Sequence, residues 1–454
     1  MRKYFGTDGI RRIANTELTP ELVYKVAKAG AYVLSKHAHH KPTILIGRDT
    51  RISGTLIESA MVAGFLSYGA NVKLLGVVPT PAVAYLTRKY NADASVVISA
   101  SHNTFEFNGI KFFSNKGMKI SDELELEIEE LMDSGKLEEL TAENEKIGIA
   151  EYCFDLEDEY VYFFRKNFDD QIEKAIKDNF KVAIDTANGA TYKVAEKVFK
   201  ALNIKYEIIN NSPDGININE NCGSTHMEGL KKYVVDNKFD LGIAYDGDGD
   251  RCLAVDEKGN NIDGDKLLAI IANNLIKKGR LKKDTIVATV MSNLGLNKFS
   301  KENGLELIQT KVGDRYVLEE MLKSGFNLGG EQSGHVILLD YNPTGDGILT
   351  SILLIIALLE ENVSASELAG IVKFYPQVLV NAKVSADKKY DYEKDEEIKA
   401  AILKLENEFK GNGRVLIRPS GTEPLVRVMI EGENQEYITK KANEIAELII
   451  KKSS

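Results

Sequence analysis

LGIAYDGDGDR, residues 241–251, sets five mostly apolar residues directly ahead of three carboxylates, Asp246, Asp248 and Asp250, which alternate with glycines and close on Arg251. The leading five read as an apolar strand. The glycines let the backbone fold tightly enough for alternate side chains to converge, and three carboxylates brought together suit a hard divalent cation. A strand that ends in such a loop points to an open α/β sheet, where ligands gather at the carboxyl ends of strands. Three other readings compete. A solvated acidic turn has the same letters. A calcium loop of the helix–loop–helix kind finds Glu257 at its twelfth position, but Arg251 stands at the sixth, where the sharp turn needs glycine. A phosphatase with Asp246 as its nucleophile also fits the local pattern.

Outward from that stretch the pattern recurs. Short β-branched runs at Thr43 to Ile46, Val72 to Leu75, Ser95 to Ile98, Val182 to Ile184 and Ile286 to Val290 alternate with longer amphipathic segments. This alternation predicts α/β layers with mainly parallel sheets. Several runs end in Gly, Asp, Ser or Asn clusters: GRDTR after Ile46, SASHN after Ile98 and DTANGA after Ile184. An acidic helix is expected over Asp122 to Asp133. From about Phe374 onward, strand-like runs at Val378 to Val380, Val415 to Ile417 and Val426 to Ile430, with helical patterns at 395–409 and 436–451, read as a separate α+β domain. No internal repeat is visible by eye.

The chain has 454 residues, 43% of them hydrophobic, which is enough for several cores. Its 58 Lys and Arg against 68 Asp and Glu leave a net charge of -10, so no global positive field favours nucleic acid or an anionic membrane. Phosphate must then be held by local features. Cys153, Cys222 and Cys252 lack disulfide or zinc spacing and read as structural thiols of a reducing compartment. The apolar run Ile348 to Leu359 is shorter than the roughly 17 residues a membrane span needs and reads as a buried helix. The opening residues lack the apolar core of a signal peptide.

Further constellations carry chemistry. In SASHN, residues 99–103, followed by Asn108-Gly109-Ile110-Lys111, a serine at a strand end can accept a phosphoryl group. Adjacency in sequence does not make His102 face Ser101, and Ser-rich strand ends are often only turn caps. GGEQSGH, residues 329–335, gathers a carboxylate, an amide, a hydroxyl and an imidazole, a set able to hold sugar hydroxyls or an amino group. RPSGTEP, residues 418–424, with Arg427 offers two guanidinium groups and two hydroxyls to a phosphate dianion. The arginines of GTDGIRR (6–12) and GRDTR (47–51) can steer an anion, although arginines in turns are commonly solvated. His37, His39 and His40 read as a surface cluster.

Taken together and in order, FGTDGIR (5–11), SASHN (99–103), DGDGDR (246–251), GEQSGH (330–335) and RPSGTEP (418–424) resemble the α-D-phosphohexomutase family over nearly the whole chain. The resemblance implies an α/β protein of four domains: three related α/β domains with mixed sheets and a C-terminal α+β domain, around a central cleft. The expected spans are 1–155, 156–256, 257–372 and 373–454. Ser101 is implied as the phosphoserine, sharing one Mg2+ ion with Asp246, Asp248 and Asp250. Arg11, His102, Lys111 and His335 are implied in catalysis, with Arg11 stabilising transferring charge and Lys111 or His335 moving a proton. Arg251, Glu331 and Ser333 are expected on the sugar, and Arg418, Ser420, Gly421, Thr422 and Arg427 on the non-reacting phosphate. Gln332, with the FGTDGIR opening, is similar to the branch that handles an amino sugar. The implied reaction moves phosphate between the 6- and 1-positions through a 1,6-bisphosphate, which also primes the serine. A phosphosugar is the expected partner, with no nucleic acid or membrane, for a cytoplasmic monomer or homodimer. Arg12 and Thr104 depart from the family's usual glycine and proline and touch no implied ligand.

Overall fold

Strands form where the runs predict them, usually one or two residues longer, because pairing extends into flanking polar residues that the apolar pattern does not mark. The computed structural model describes residues 3–6, 8–176, 179–420 and 424–453. The chain divides into two units, Met1–Val290 with Glu306–Ile371, and Met291–Leu305 with Val372–Ser454.

The larger unit carries three sheets. The first is built from β1 (Ile10–Ile13), β2 (Thr43–Arg48), β3 (Asn71–Val77), β4 (Ala94–Ile98), β5 (Phe107–Ser114) and β6 (Ala150–Tyr152), in the order β1-β5-β4-β2-β3-β6. The second comprises β7 (Lys181–Asp185), β8 (Lys205–Ile209), β9 (Leu241–Tyr245), β10 (Cys252–Asp256) and β11 (Asn261–Ile262), ordered β11-β10-β9-β7-β8. The third comprises β12 (Thr285–Thr289), β13 (Glu306–Thr310), β14 (Leu328–Gly330) and β15 (Val336–Leu338), ordered β13-β12-β14-β15.

One arrangement underlies all three. A first strand pairs in parallel with a second and a third, and a fourth returns antiparallel on the third: β2, β3, β4, β5 in one sheet, β7, β8, β9, β10 in the next and β12, β13, β14, β15 in the last. The return from third to fourth strand holds SASHN in the first sheet, DGDGDR in the second and GEQSGH in the third. Each loop therefore leaves the carboxyl end of a parallel strand, where side chains are free to face a ligand.

Helices pack against these sheets for legible local reasons. Pro20–Ser35 starts on Thr19, whose hydroxyl accepts from the Leu22 N–H, with Pro20 in the first turn. Asp122–Asp133 has the expected bounds; its acidic first turn meets the positive end of the helix dipole, and Ile128 and Met132 are buried. Gly347–Glu361 is apolar on nearly every face and correspondingly buried, and Asp346 caps it through the Leu349 N–H at 2.9 Å. No described helix is long and apolar enough to cross a membrane. Cys153, Cys222 and Cys252 are unpaired, and burial pushes the Cys222 thiol up to about 12, which leaves it inert.

The smaller unit is a three-stranded antiparallel sheet of β16 (Gln377–Lys383), β17 (Gly413–Pro419) and β18 (Leu425–Gly432), ordered β16-β18-β17. Its core joins Val426, Val428 and Ile430 to Ile398 and Leu405 of helix Glu396–Phe409 and to Ile438, Ala442 and Ile449 of helix Gln435–Lys452. Buried Glu431 ties the sheet to helix Leu294–Glu302, accepting from Arg414 at 2.5 Å and from the Leu294 N–H at 3.1 Å.

Candidate active site

Ser101 follows β4 with φ at +51°, a left-handed conformation that costs a residue with a side chain about 1–2 kcal/mol. It is 2% exposed, and its hydroxyl donates to Asp246 at 2.7 Å. Nδ1 of His102 lies 3.3 Å from the same oxygen, so the two adjacent side chains do face each other. Burial, followed by the charges of Arg251 and Arg11, pushes His102 down to about 4, so the imidazole is neutral at physiological pH. Arg11, on β1 and opposite Gly109 of β5, donates to Asn103 at 3.1 Å and to Asp8 at 2.8 Å.

Asp246, Asp248 and Asp250 are all buried, and each offers an oxygen within 4.8 Å of the others. Gly249 has φ at +72°, and a Cβ there would lie 2.5 Å from the Thr191 side chain and 2.9 Å from Pro79, so only glycine fits. Burial and the charges of Asp250 and Asp248 raise the Asp246 carboxyl well above its ordinary range. For Asp248, burial is outweighed by Lys111 and by hydrogen bonds from Lys111 and Thr80, which hold it low. The Oδ1 atoms of Asp248 and Asp250 are buried without a hydrogen-bond partner among the described residues. Orphaned carboxylate oxygens converging in one loop fit a hard divalent cation, and these residues would hold it.

Lys111, on β5, is 2% exposed and bridges Asp248 at 2.9 Å, Asp8 at 3.1 Å and Asp250 at 3.7 Å. Burial alone would push its ammonium toward neutrality, but the carboxylates of Asp248, Asp8 and Asp250 outweigh it and raise the pKa. The ion pairs continue: Lys119 joins Asp8 at 2.6 Å to Asp314 at 2.5 Å, and Nε2 of His335 lies 3.5 Å from Asp314 and 3.9 Å from Asp250. The first two functional loops and His335 of the third thus share one network of charges. Arg251 donates its N–H to Asp246 at 3.1 Å, and its Nε lies 3.9 Å from Asp250.

In the third loop Glu331 accepts the Gly313 N–H at 3.2 Å and Gln332 donates to Asp263 at 3.3 Å. The Ser333 hydroxyl and both ring nitrogens of His335 are buried with no hydrogen-bond partner among the described residues, which leaves them available to a ligand. In the smaller unit, Arg418 stands directly opposite Arg427 across β17 and β18. Facing like charges destabilise a sheet unless they are offset, and the Arg418 Nε is buried without a hydrogen-bond partner among the described residues. Burial and Arg427 push the Arg418 guanidinium down. Ser420 accepts from Lys389 at 2.9 Å through its carbonyl; Gly421 and Thr422 lie outside the described residues.

Two sequence readings change, those of Arg51 and of the calcium loop. Arg51, expected as a solvated turn residue, is fully buried beneath the Ser101 loop beside equally buried Asp49. His40 reads as a surface residue and is one, at 65% side-chain exposure, with Asp93 3.1 Å away. The calcium-loop reading fails because the Asp246 loop joins two strands, not two helices, and Glu257 accepts from the Ser366 N–H at 3.0 Å and its hydroxyl at 2.5 Å. Asp8, Thr80, Lys119 and Asp314 were missed as site residues. Only Asp8 had a signal, its place in FGTDGIR.

The chain matches the family models for phosphoglucomutase/phosphomannomutase α/β/α domain I over residues 2–139, domain II over 158–259, domain III over 263–375 and the C-terminal domain over 379–448. It is 55% identical over 451 residues to phosphoglucosamine mutase of Clostridium kluyveri, covering 99% of both chains. To that of Clostridium acetobutylicum it is 54% identical over 454 residues, covering 100% of both. A solved phosphoglucomutase/phosphomannomutase family protein from Burkholderia thailandensis superposes with a TM-score of 0.80 at 21% identity, covering 100% and 98%. Aspergillus fumigatus N-acetylphosphoglucosamine mutase, solved with GlcNAc-6P and magnesium, superposes with a TM-score of 0.69 at 17% identity, covering 100% and 96%. At those identities the two structures speak for the fold alone.

Proposed function

Because the chain belongs to the phosphoglucomutase/phosphomannomutase family, we propose that it interconverts glucosamine 6-phosphate and glucosamine 1-phosphate. The product supplies amino sugar for UDP-N-acetylglucosamine and cell-wall synthesis. The observation that carries the reading is the Ser101 hydroxyl, 2.7 Å from Asp246 in a buried triad of carboxylates. Ser101 is the phosphoryl carrier. In the forward direction its P–Oγ bond breaks as a bond forms from phosphorus to the sugar 1-oxygen, giving the 1,6-bisphosphate. The serine then takes back the 6-phosphoryl group, leaving the 1-phosphate.

Asp246, Asp248 and Asp250 would hold Mg2+, which when bound would neutralise charge on the phosphoryl oxygens. Arg11 and Arg251 add fixed positive charge; of the two candidate proton carriers, Lys111 is held as an ammonium by Asp248, Asp8 and Asp250, which favours His335 for moving the hydroxyl proton. His102, neutral and facing Ser101, accepts or donates a hydrogen bond without adding charge. Glu331 and Ser333 orient the sugar, and Arg418, Ser420, Gly421, Thr422 and Arg427 hold the phosphate that is not reacting. The unpaired thiols support a reducing, cytoplasmic setting.

Phosphorus NMR of glucosamine 6-phosphate with magnesium and a trace of sugar 1,6-bisphosphate tests the reading. A 1-phosphate signal without free phosphate is expected. Turnover of glucose or mannose 6-phosphate instead would move the substrate to a sister hexose. Free phosphate alone would indicate a phosphatase acting through Asp246.

A further inference from the structure

Two carbonyls of the serine loop each receive two donors. The Ser101 carbonyl accepts from Arg51 Nη2 at 3.0 Å and from Asn219 Nδ2 at 2.9 Å. The Asn103 carbonyl accepts from the same two atoms, at 2.8 and 2.9 Å. Arg51 Nη1 reaches the carbonyls of Thr104 and, at 3.0 Å, Phe107, so one guanidinium spans four carbonyls of the loop. Asp49 orients that guanidinium at 2.8 Å and also accepts from Ser99 at 2.6 Å, whose hydroxyl receives the Ser101 N–H at 2.9 Å. Arg51 follows β2 of the first sheet, whereas Asn219 belongs to the segment between β8 and β9 of the second. Gly247 closes the gap: a Cβ there would lie 2.5 Å from the Ser101 carbonyl oxygen and 2.7 Å from Asn219 Nδ2.

One donor satisfies a buried carbonyl. A second, from a different sheet, removes the remaining freedom of direction. One doubled carbonyl belongs to Ser101 itself, which holds a left-handed conformation, and the other to Asn103, two residues on.

We propose that Arg51 and Asn219 are positioning residues for phosphoryl transfer, fixing Ser101 Oγ against the Asp246 loop whether or not it carries phosphate. The proposal rests on Ser101 being the carrier. Neither residue hydrogen-bonds to Ser101 Oγ or the triad carboxylates, so the effect falls on kcat rather than KM.

Asn219→Ala is the decisive variant, because Arg51 still satisfies both carbonyls; alanine must take over the left-handed conformation of Asn219, φ +59°, and the folded-fraction count below removes the stability this costs. Its kcat for glucosamine 6-phosphate is expected to drop about 10- to 100-fold, the scale of a small misplacement of reacting groups, with KM within about twofold of the parent. Rates are referred to the phosphoserine-bearing fraction, counted by intact mass, and to the folded fraction, counted by circular dichroism, so that simple destabilisation is removed. Arg51→Lys is expected to lose at least as much, since an ammonium cannot fork to four carbonyls. Should Arg51→Lys fail to fold, Asn219→Ala still decides. A kcat for Asn219→Ala within twofold of the parent would overturn the proposal, as would a KM that rises in step with the fall in kcat. Ser101→Ala, run beside them, separates the two levels: activity surviving there sinks the carrier reading itself, whereas its loss together with normal Asn219→Ala sinks only the positioning role.

Discussion

Replacing Lys111 by Met removes the ammonium that bridges Asp248 at 2.9 Å, Asp8 at 3.1 Å and Asp250 at 3.7 Å, at 2% exposure. Stripping one partner from a buried ion pair costs about 3–5 kcal/mol, because the remaining charge stays buried. The lower end applies, since Asp8 keeps Arg11 at 2.8 Å and Lys119 at 2.6 Å, and Asp248 keeps the Thr80 hydroxyl at 2.8 Å. Neighbouring carboxylates raise the Lys111 pKa above the ordinary lysine value of about 10.4. Its contribution is therefore complete at neutral pH and is lost only as pH climbs through the raised value. About 3 kcal/mol corresponds to roughly 4 °C in Tm for a unit of this size. Thermal melts at pH 7 in chelator should show that deficit. Saturating magnesium should narrow it, because a cation among Asp246, Asp248 and Asp250 relieves the same excess of negative charge. A deficit under about 1 kcal/mol, or one unchanged by magnesium, would refute the idea that lysine and metal neutralise one cluster.

Ser101→Ala should abolish turnover while leaving the melting temperature close to the parent's, checked by NMR assay and calorimetry. Arg427→Ala should raise KM for the sugar phosphate about 10- to 100-fold with the fold intact, the worth of a charge-assisted contact, and steady-state kinetics read it. Arg414→Met leaves Glu431 buried and unpaired, costing about 3 kcal/mol at pH 7. Burial, against the pull of Arg414, already raises the Glu431 pKa, so its charge destabilises the fold at neutral pH and the penalty fades as pH falls through the raised value. The gap between variant and parent melts should thus shrink from pH 7 to pH 5.

Reading the chain alone went far where chemistry is local. Strand Leu241–Tyr245 and helix Asp122–Asp133 have the bounds their patterns gave, because apolar runs and acidic first turns are local signals. The three loops in the larger unit were found by residue type at strand ends. What stayed hidden depends on distant partners. Arg51 looks like any turn arginine until the carbonyls of residues 101–107 close over it, and Asn219 lies 118 residues from the carbonyl it holds. Lys119 and Asp314 are 195 residues apart, and neither carries a motif. The short strand Leu328–Gly330, two-thirds glycine, has no β-branched signal, and its pairing with β12 and β15 defines it. The repeated strand order escaped notice because equivalent strands share only apolar character.

That order has an evolutionary and engineering meaning. A turn between a third and a fourth strand adds nothing to the pairing of the first two, so it can change its letters while the sheet persists. Under the proposed function, three copies of one scaffold offer three addresses, one for a carrier hydroxyl, one for a cation and one for a sugar. Selection, or a designer, can rewrite residues 331–333 to admit a different hexose, whereas Gly334, whose Cβ would meet the Cys252 carbonyl oxygen at 2.2 Å, and His335, 3.9 Å from Asp250, stay fixed. Drift in substrate preference across relatives should accordingly concentrate in the third copy, and the phosphoryl chemistry should travel with the first two.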